Sequence, residues 1–457
     1  MRKNIGILLI CILLISVAMG YIWWNSSFQS SSPEVGNTYY VSIVGIDSNP
    51  GTLSSPFRTI QKAMDVVNPG DIVYVRDGTY NENPTLTRSG NSSAWITIKN
   101  YPGELPVIDG TGMTPSYWAG GTLEVGSVSY VIIDGFKIQD SEASGICVLR
   151  SNNVIVKNCQ TMNTGYSGIR VCYGEGTSNL QYCTNIKVLN NIIDQSNMKV
   201  PYGQEALSFS GVSNSEIRGN LLTSTCTKEG IDCKHDCINI TIAYNDIYTP
   251  GTNIYLGDAP NDMGSDYIVY GNRCYGSNTG LAISVEKCGT ANNFFYYNNI
   301  IECDGNGFQI NYDPPTLNLT CMEGPQNVYI INNVFNVGGT ALRLSPPVVG
   351  NYARNVIIRN NIFKGKYGIT MNAYQPEDEV TIDHNFFTTG SDYYGSSYYT
   401  GDPKWVNPSF GDYHLQSTSP AIDTGSNIDA PSVDFDGNTR PQGNIMDIGA
   451  FEYSFGN

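Results

Sequence analysis

Residues 327–333 have the sequence Asn327-Val-Tyr-Ile-Ile-Asn332-Asn333, and residues 355–361 repeat it as Asn355-Val-Ile-Ile-Arg-Asn360-Asn361. The unit is an asparagine, a run of alternating apolar residues and one or two closing asparagines. Earlier copies are Asn153-Val-Ile-Val-Lys-Asn158, Asn185-Ile-Lys-Val-Leu-Asn190-Asn191 and Asn239-Ile-Thr-Ile-Ala-Tyr-Asn245, and weaker ones start at Ser215, Asp266, Asn293 and Glu379. These nine copies lie 24 to 34 residues apart. Such a period is typical of a solenoid built from stacked coils.

Each repeat also contains a second short strand that begins with a small residue or an asparagine. Examples are Gly145-Ile-Cys-Val, Gly168-Ile-Arg-Val, Ala206-Leu-Ser-Phe, Gly230-Ile-Asp-Cys, Asn253-Ile-Tyr-Leu, Gly307-Phe-Gln-Ile, Ala341-Leu-Arg-Leu and Gly368-Ile-Thr-Met. Strands this short cannot bury their apolar side chains alone, so the coils must stack into parallel sheets, and asparagines at the bends can pair with the coils above and below. The sequence predicts an all-β chain with a right-handed parallel β-helix over residues 31–390.

Both ends of a solenoid need a cover, because an exposed edge coil invites aggregation. At the amino end, Ser55-Pro56 predicts a helix start, and Ile60, Ala63, Met64 and Val67 recur at helical spacing before Asn68-Pro69-Gly70-Asp71. We therefore expect a short N-terminal capping helix. Residues 391–457 are expected to form a C-terminal capping segment.

The first 30 residues are a targeting segment. Arg2-Lys3 precedes an apolar run from Ile5 to Trp24, which is long enough to span a bilayer. The aromatic residues at its end favour an uncleaved membrane anchor, with a cleaved signal peptide as the alternative. We therefore expect an extracellular protein, secreted or tethered to the cell surface, that meets the membrane only through this segment.

The net charge limits the partners that the protein can bind, and the cysteine spacing bears on zinc binding and disulfide formation. The formal charge is -16, and removing the two positive charges of the first 30 residues leaves -18, which excludes nucleic acid as a partner. Charged residues are only 14% of the chain, which disfavours a helical bundle or a disordered protein. Eleven cysteines lie between Cys147 and Cys321 without the spacing of a zinc site, and their pairing is left open. We expect a monomer.

Three carboxylates and one lysine converge when the second strands are aligned. Glu205 and Glu229 take the same position in adjacent turns, while Asp232 and Lys234 project from one strand two residues apart. Equivalent side chains in stacked coils lie about 5 Å apart. Carboxylates at that distance repel each other unless a proton, a lysine or a calcium ion intervenes. This constellation is the candidate site, and a solvated face neutralised by Lys234 is the alternative.

Two regions of the chain resemble known β-helix proteins. The segments Thr38 to Gln61 and Pro69 to Tyr80 resemble the opening of extracellular proteins related to pectate lyases of polysaccharide lyase family 9 and, more loosely, to chondroitinase B and alginate lyases. The closing motifs, Ser419-Pro-Ala-Ile-Asp423, Asp434-Phe-Asp-Gly-Asn-Thr-Arg440-Pro and Asp447-Ile-Gly-Ala-Phe-Glu452, resemble the end of the same broad group.

The resemblance implies calcium-assisted β-elimination on an acidic polysaccharide. According to this resemblance, Glu205, Glu229 and Asp232 would hold calcium. Lys234, with a lowered pKa, would remove the proton next to a sugar carboxylate. The following coil has Tyr255 and Asp258 where chondroitinase-like enzymes place an arginine, which leaves the general acid and the chondroitinase or alginate assignment open.

Further residues near this constellation are candidates for substrate contact. Arg170 and Arg343 share the outward position of Asp232 in other coils and are expected to bind substrate carboxylates, while Tyr255 is expected to stack on a sugar. Glu286-Lys287 is a remote alternative base.

Two other functions fit the same fold. One is a non-catalytic surface protein, an adhesin or envelope component that binds glycans along the long face of the solenoid. The other is a hydrolase of the polygalacturonase type, for which Asp232 and Asp258 would supply the acid and the base.

Overall fold

The computed structural model describes residues 36–113, 120–174, 182–199, 205–223, 228–257, 264–285, 291–312, 324–346, 351–388 and 395–454. The expected targeting segment at residues 1–30 lies outside this part of the chain, as do Asp258, Glu286 and Lys287. Among the described residues, no helix combines the length and the apolar character needed to cross a membrane. The described part contains one α-helix, α1 (Ile60–Val66), and two 3-10 helices, Glu377–Glu379 and Pro408–Phe410. Everything else that is regular is β-strand.

The strands of the described part are short and follow one another closely. In chain order they are β1 (Thr38–Val41), β2 (Ile72–Val75), β3 (Thr79–Tyr80), β4 (Thr85–Leu86), β5 (Ile96–Asn100), β6 (Val107–Asp109), β7 (Gly121–Gly126), β8 (Ser129–Asp134), β9 (Lys137–Gln139), β10 (Ser144–Leu149), β11 (Asn152–Lys157), β12 (Gln160–Met162), β13 (Ile169–Cys172), β14 (Cys183–Leu189), β15 (Ile192–Asp194), β16 (Leu207–Ser210), β17 (Val212–Arg218), β18 (Leu221–Leu222), β19 (Glu229–Lys234), β20 (Ile238–Ala243), β21 (Asp246–Tyr248), β22 (Thr252–Gly257), β23 (Ser265–Tyr270), β24 (Arg273–Val285), β25 (Asn292–Tyr297), β26 (Ile300–Tyr312), β27 (Gln326–Ile331), β28 (Val334–Val337), β29 (Thr340–Leu344), β30 (Arg354–Arg359), β31 (Ile362–Lys364), β32 (Tyr367–Met371), β33 (Val380–Asp383), β34 (Phe386–Thr388), β35 (Tyr399–Gly401), β36 (Trp405–Asn407) and β37 (Asp412–Leu415).

These strands form a parallel solenoid, as the repeat predicts. Thirteen of them make one parallel sheet, which runs from β1 and β2 through every first strand of a coil to β33. A second sheet of 22 strands contains two stacks. One stack takes every third strand from β3 to β21, and the other takes every third strand from β4 to β22. The long strands β24 and β26 join the two stacks. Among the strands of the described part, only β36 and β37 pair antiparallel. The expectation of a parallel β-helix is confirmed.

The core of the solenoid is a continuous apolar column. Alternate residues of each strand point inward and stack on their equivalents in the next coil, for example Val154 on Ile186 and Ile231 on Ile254. The described cysteines between Cys147 and Cys303 are also buried, and burial raises the pKa of Cys159 to about 12. These thiols are therefore packed as small apolar side chains.

Eight buried asparagines join successive coils at one corner. They are Asn191, Asn220, Asn245, Asn272, Asn299, Asn333, Asn361 and Asn385. From Asn220 to Asn385, each side-chain oxygen accepts the backbone N–H and the side-chain N–H of the asparagine one coil earlier, at 2.8 to 3.0 Å, and the oxygen of Asn191 accepts the backbone N–H of Cys159 at 2.9 Å. Each side-chain N–H also donates to a carbonyl of the preceding coil, as Asn272 does to Ile242. The corner is therefore a closed network of buried hydrogen bonds.

A second row of asparagines lies on the exposed side of the first sheet. Asn214, Asn239, Asn327 and Asn355 have φ values between 49° and 57°, and their side chains pair between adjacent coils. Asparagine tolerates this left-handed conformation better than other non-glycine residues. This requirement explains why the repeat begins with asparagine.

The amino end is covered by α1, but the predicted helix start was wrong. The N-cap is Thr59, whose hydroxyl accepts the N–H of Lys62 at 3.1 Å, and Ser55-Pro56 lies outside the helix. Asp47 accepts the backbone N–H groups of Arg58 and Thr59, which holds the preceding residues extended. Because of this tertiary contact, the helix starts four residues later than its sequence signal.

The C-terminal segment lies along the outer face of the last coils. Parallel pairing continues to β35, and residues 402–454 then pack over Ile300, Val334, Ile362 and Phe386. The guanidinium of Arg440, fully buried, pairs with Glu452 at 2.6 Å and donates to Asn298 in a coil 142 residues earlier. The predicted boundary between residues 390 and 391 stays a prediction.

We predict that replacing a central ladder asparagine destabilises the whole solenoid. Asn272→Ala leaves buried donors and acceptors of two neighbouring coils unpaired, so unfolding should become easier by on the order of 3 kcal/mol. Equilibrium chemical denaturation measures the change. Asn214→Gly, on the exposed row, is the control and should cost under about 1 kcal/mol because glycine accepts the same conformation. Equal losses in the two variants would contradict a special role for the buried ladder.

We predict that the C-terminal segment is stabilised by a charged histidine. Partial burial lowers the pKa of His414, but hydrogen bonds to Asp436 at 2.7 Å and Asp412 at 2.6 Å outweigh it and raise the pKa above the usual 6.5. A raised pKa gives stability that is complete below the unfolded value and is lost as pH rises through the folded value. The melting temperature of wild type should fall more between about pH 6 and pH 8.5 than that of His414→Gln. Parallel pH profiles in the two proteins would refute this.

Candidate functional site

The candidate residues lie on three adjacent coils of the second sheet. In the register of β16 and β19, Ser208 pairs with Asp232 and Ser210 with Lys234, and Asp232 pairs in turn with Tyr255 of β22. Ile231 and Cys233 point into the core, so Asp232 and Lys234 point outward. A Cβ at Gly230 would lie 2.7 Å from the carbonyl of Asn253, so this close approach of two coils requires glycine.

Three carboxylates converge at this place. Glu205, Glu229 and Asp232 each offer an oxygen, and these oxygens lie within 4.8 Å of one another. Glu205 and Asp232 are 6% and 3% exposed, while Glu229 is partly exposed. We call these three residues the acidic triad. Their grouping matches the alignment of adjacent turns in the sequence.

Lys234 forms ion pairs with two members of the triad. Its Nζ lies 2.5 Å from Glu205 Oε1 and 3.1 Å from Asp232 Oδ2. Burial lowers the pKa of Lys234, but the charges of Asp232 and Glu205 and the two hydrogen bonds raise it well above its usual value. The sequence analysis expected a lowered pKa, and in this arrangement the opposite holds because the carboxylates stabilise the ammonium.

One lysine does not balance three carboxylates. Burial raises the pKa of Asp232 well above its ordinary range, although Lys234 opposes this, and burial and the charge of Glu205 raise the pKa of Glu229. Burial also disfavours the charge of Glu205, but Lys234 outweighs it and lowers the pKa of Glu205. Within the part of the chain that the structure describes, Glu205 Oε2 and Asp232 Oδ1 are buried without a hydrogen-bond partner. Buried oxygens of this kind suit a cation.

Arg170 lies in the outward row of Asp232, two coils earlier, with Ser208 between them. It is only 2% exposed, and its charge lowers the pKa of Glu205. The sequence analysis expected Arg170 to meet substrate. The structure places this guanidinium beneath the surface, where its charge supports the acidic triad.

Arg343 and Tyr255 occupy the same outward row on the other side of the triad. Tyr255 is adjacent to Asp232 and donates its hydroxyl to Ser284 Oγ at 2.6 Å. Arg343 is exposed and lies four coils beyond Asp232, which is about 20 Å along the axis. The row therefore brings Tyr255 to the triad but keeps Arg343 away from it.

A polar and aromatic cluster beside Lys234 was missed from the sequence. The Nδ1 of His235 lies 2.8 Å from the hydroxyl of Ser210, and the edge of the ring meets Tyr173, with centroids 6.1 Å apart. Tyr173 stacks on Tyr182 at 5.7 Å, and Tyr182 donates to Asp236 at 3.0 Å. The available signal was that His235 directly follows Lys234 and ends the strand. Its contacts depend on two other coils, which composition does not reveal.

A comparison with models of known protein families identifies the family of this β-helix. The matching family model describes the Pel9A-like right-handed β-helix region, and it covers residues 39–314, including the acidic triad and Lys234. The chain belongs to this Pel9A-like family. The resemblance to family 9 pectate lyases noted from the sequence is thereby confirmed.

Two curated proteins resemble the chain to different extents. The uncharacterized protein YwoF of Bacillus subtilis (strain 168) is 24% identical over 461 residues, which covers 92% of this chain and 89% of YwoF. The pectate lyase PEL9 of Emericella nidulans is 41% identical over 73 residues, or 16% of this chain and 18% of that protein. The PEL9 similarity is thus local.

Several solved structures share this architecture. XylC in complex with xylose has a TM-score of 0.64 at 15% identity, over 91% of this chain and 99% of XylC. The pectate lyase Pel9A has a TM-score of 0.55 at 14% identity, over 93% and 98%. PfbA, a surface adhesin of Streptococcus pneumoniae, reaches 0.51 at 14% identity, over 73% and 87%. At these identities the likeness establishes the fold alone.

We predict that Lys234 is a main stabilising charge of this site. Lys234→Met leaves the triad uncompensated, so the free energy of unfolding should fall by about 3 to 5 kcal/mol in calcium-free buffer. Denaturant titration provides the measurement. The control is Lys187→Met, which removes an exposed pair with Glu216 at 3.9 Å and should change the stability by under about 1 kcal/mol. A loss no larger than that of the control would show that the pairs at Lys234 contribute little.

Proposed function

We propose that the protein is an extracellular polysaccharide lyase that cleaves a uronate-containing glycan by calcium-assisted β-elimination, with Lys234 as the base. The observation that carries the proposal is the acidic triad, which lies against a lysine and in which Glu205 Oε2 and Asp232 Oδ1 are buried without a hydrogen-bond partner among the described residues. Membership of the Pel9A-like family supports the same class of chemistry. The protein would act on its polymer as a monomer.

The acidic triad fits a hard divalent cation. Calcium takes six to eight oxygen ligands, and carboxylates can supply one or two each. Glu205, Glu229 and Asp232 would hold the ion, with water and substrate oxygens completing its shell. When bound, calcium neutralises the substrate carboxylate, which acidifies the neighbouring C5 proton, and it takes up the carboxylate charge that now keeps Lys234 protonated.

Lys234 would then remove the C5 proton of the uronate. Its side chain is 17% exposed and points outward from β19, so substrate can approach it from solvent. Tyr255, in the next coil, would position the sugar ring, and Arg343 would bind a carboxylate farther along an extended polymer. Because the protein carries a charge of -16, an acidic polymer should bind poorly without a cation.

A surface protein that binds glycans without cleaving them is the second candidate. The observation that favours it is the pair of contacts from Lys234 to Glu205 and Asp232, which raise its pKa. A lysine that never gives up its proton would serve only to neutralise the triad. The two functions differ in whether the polymer is cut.

We predict calcium-dependent elimination by residues 30–457 on at least one uronate polymer. Protein is incubated with pectate, alginate or chondroitin-type polymers, and the absorbance of the unsaturated uronate is followed with calcium and with chelator. Lys234→Arg keeps the positive charge but cannot lose a proton, so kcat should fall roughly 10² to 10⁴-fold while polymer binding and folding persist.

Lys187→Arg is the matched control and should turn over like wild type, because its ion pair with Glu216 lies on another sheet. Calcium-independent binding with no absorbance change on any polymer would favour the glycan-binding candidate. Full activity of Lys234→Arg would rule out this lysine as the base.

A further inference from the structure

We infer that His235 is the general acid that gives a proton to the departing glycosidic oxygen, an inference that rests on the lyase function proposed above. β-Elimination expels an alkoxide, which is a poor leaving group unless it receives a proton as the C4–O bond breaks. The acidic triad cannot serve while it binds a cation, and Lys234 is occupied with the C5 proton. A separate proton donor is therefore needed beside Lys234.

The register of the coils brings the imidazole to that place. Ser210 is the residue of β16 that pairs with Lys234, and its hydroxyl lies 2.8 Å from Nδ1 of His235. His235 and Asp236 both have positive φ values, 51° and 63°. These two left-handed residues directly follow β19, and the contact with Ser210, the partner of Lys234 in the register, places the ring beside the base. The side chain following the base is thus held on the same outer face as the base.

The contact with Ser210 also orients the ring. Because Nδ1 and Nε2 lie on different sides of an imidazole, fixing Nδ1 against Ser210 turns Nε2 away from β16. Tyr173 meets the ring edge, which limits its rotation. Nε2 would therefore be the atom that meets the leaving oxygen.

Neighbouring hydroxyls are engaged in other contacts. Tyr255 donates to Ser284 at 2.6 Å, and Tyr182 donates to Asp236 at 3.0 Å. Tyr267, beneath the site, is fully buried in the core, and burial raises its pKa. Of the described groups next to Lys234, His235 combines a ring nitrogen that can carry a proton with a partly exposed position beside the base.

The proposed step balances without an external reactant. Lys234 takes the C5 proton, the C5–H electron pair becomes the C4=C5 double bond, and the C4–O pair leaves with the oxygen. That oxygen takes the Nε2 proton of the His235 imidazolium and departs as a hydroxyl group. Lys234 ends with one proton more and His235 with one fewer, and exchange with water restores both.

The stacked rings of Tyr173 and Tyr182 form an aromatic surface beside His235 on which a sugar ring can pack. Their centroids are 5.7 Å apart, Tyr182 is 42% exposed, and Tyr173 contacts His235 directly. Aromatic faces commonly pack against the apolar side of sugar rings. The leaving portion of the polymer would lie on this tyrosine pair, with its terminal oxygen at His235.

The test compares two leaving groups. One substrate is the polymer that wild type cleaves, and the other is a uronate with a 4-nitrophenyl ether at C4, whose aryloxide leaves without needing a proton. His235→Gln should lose roughly 10² to 10⁴-fold in kcat on the polymer with KM within about threefold, yet lose less than about tenfold on the aryl ether. Lys234→Arg should lose activity on both.

His384→Gln is the matched control, because His384 pairs with Asp383 far along the solenoid, and it should behave like wild type on both substrates. Ser210→Ala tests the orientation of the ring and should reduce kcat on the polymer only. Circular dichroism and the melting temperature check that each variant folds.

Two results would overturn the assignment. Polymer activity of His235→Gln within about threefold of wild type would show that the imidazole gives no proton, and equal losses on polymer and aryl ether would show a structural role. Either result leaves the lyase function standing, because wild type still cleaves. Wild type that cleaves neither substrate would instead refute the lyase function and, with it, this role of His235.

Discussion

The hydrogen-bonded corner of buried asparagines is the constraint on which the rest of the molecule depends. Each amide of the ladder from Asn191 to Asn385 joins its own coil to the next, so no coil can shift along its neighbour without breaking buried hydrogen bonds. A shift of one residue would also exchange the core and surface faces of every strand. The ladder thereby fixes the pairing of Ser208 with Asp232 and of Ser210 with Lys234.

At the candidate site, the regular stacking of the coils brings several carboxylates together, and the nearby positive charges offset them only in part. Parallel coils put like positions next to each other, so Glu205 and Glu229 come together whether or not that is favourable. Lys234 and the buried Arg170 offset part of the repulsion, yet Asp232 and Glu229 keep raised pKa values. A scaffold needing only stability would gain from apolar or alternating residues here. The retained charge is what a cation-binding site requires.

Several features could be read from the sequence because they follow from period and residue type. The repeat predicts the coils, and alignment of the second strands predicts that Glu205, Glu229 and Asp232 share one place. The helix position was less accurate, since Asp47 holds residues before Thr59 in an extended form that local signals do not encode. The burial of Arg170 and the distance from Asp232 to Arg343 depend on packing between coils and on the number of coils that separate the residues.

By itself, the amino-acid sequence determined the all-β solenoid, the register of its coils and the convergence of three carboxylates with a lysine, because each follows from a repeat that makes equivalent residues neighbours. Only the tertiary structure decided the ion pairs of Lys234, the burial of Arg170 and the position of His235 against Ser210 and Tyr173. Those properties arise from distances between side chains of different coils and from the water excluded around them. Neither these distances nor the exclusion of water can be inferred from the order of residues along a single strand.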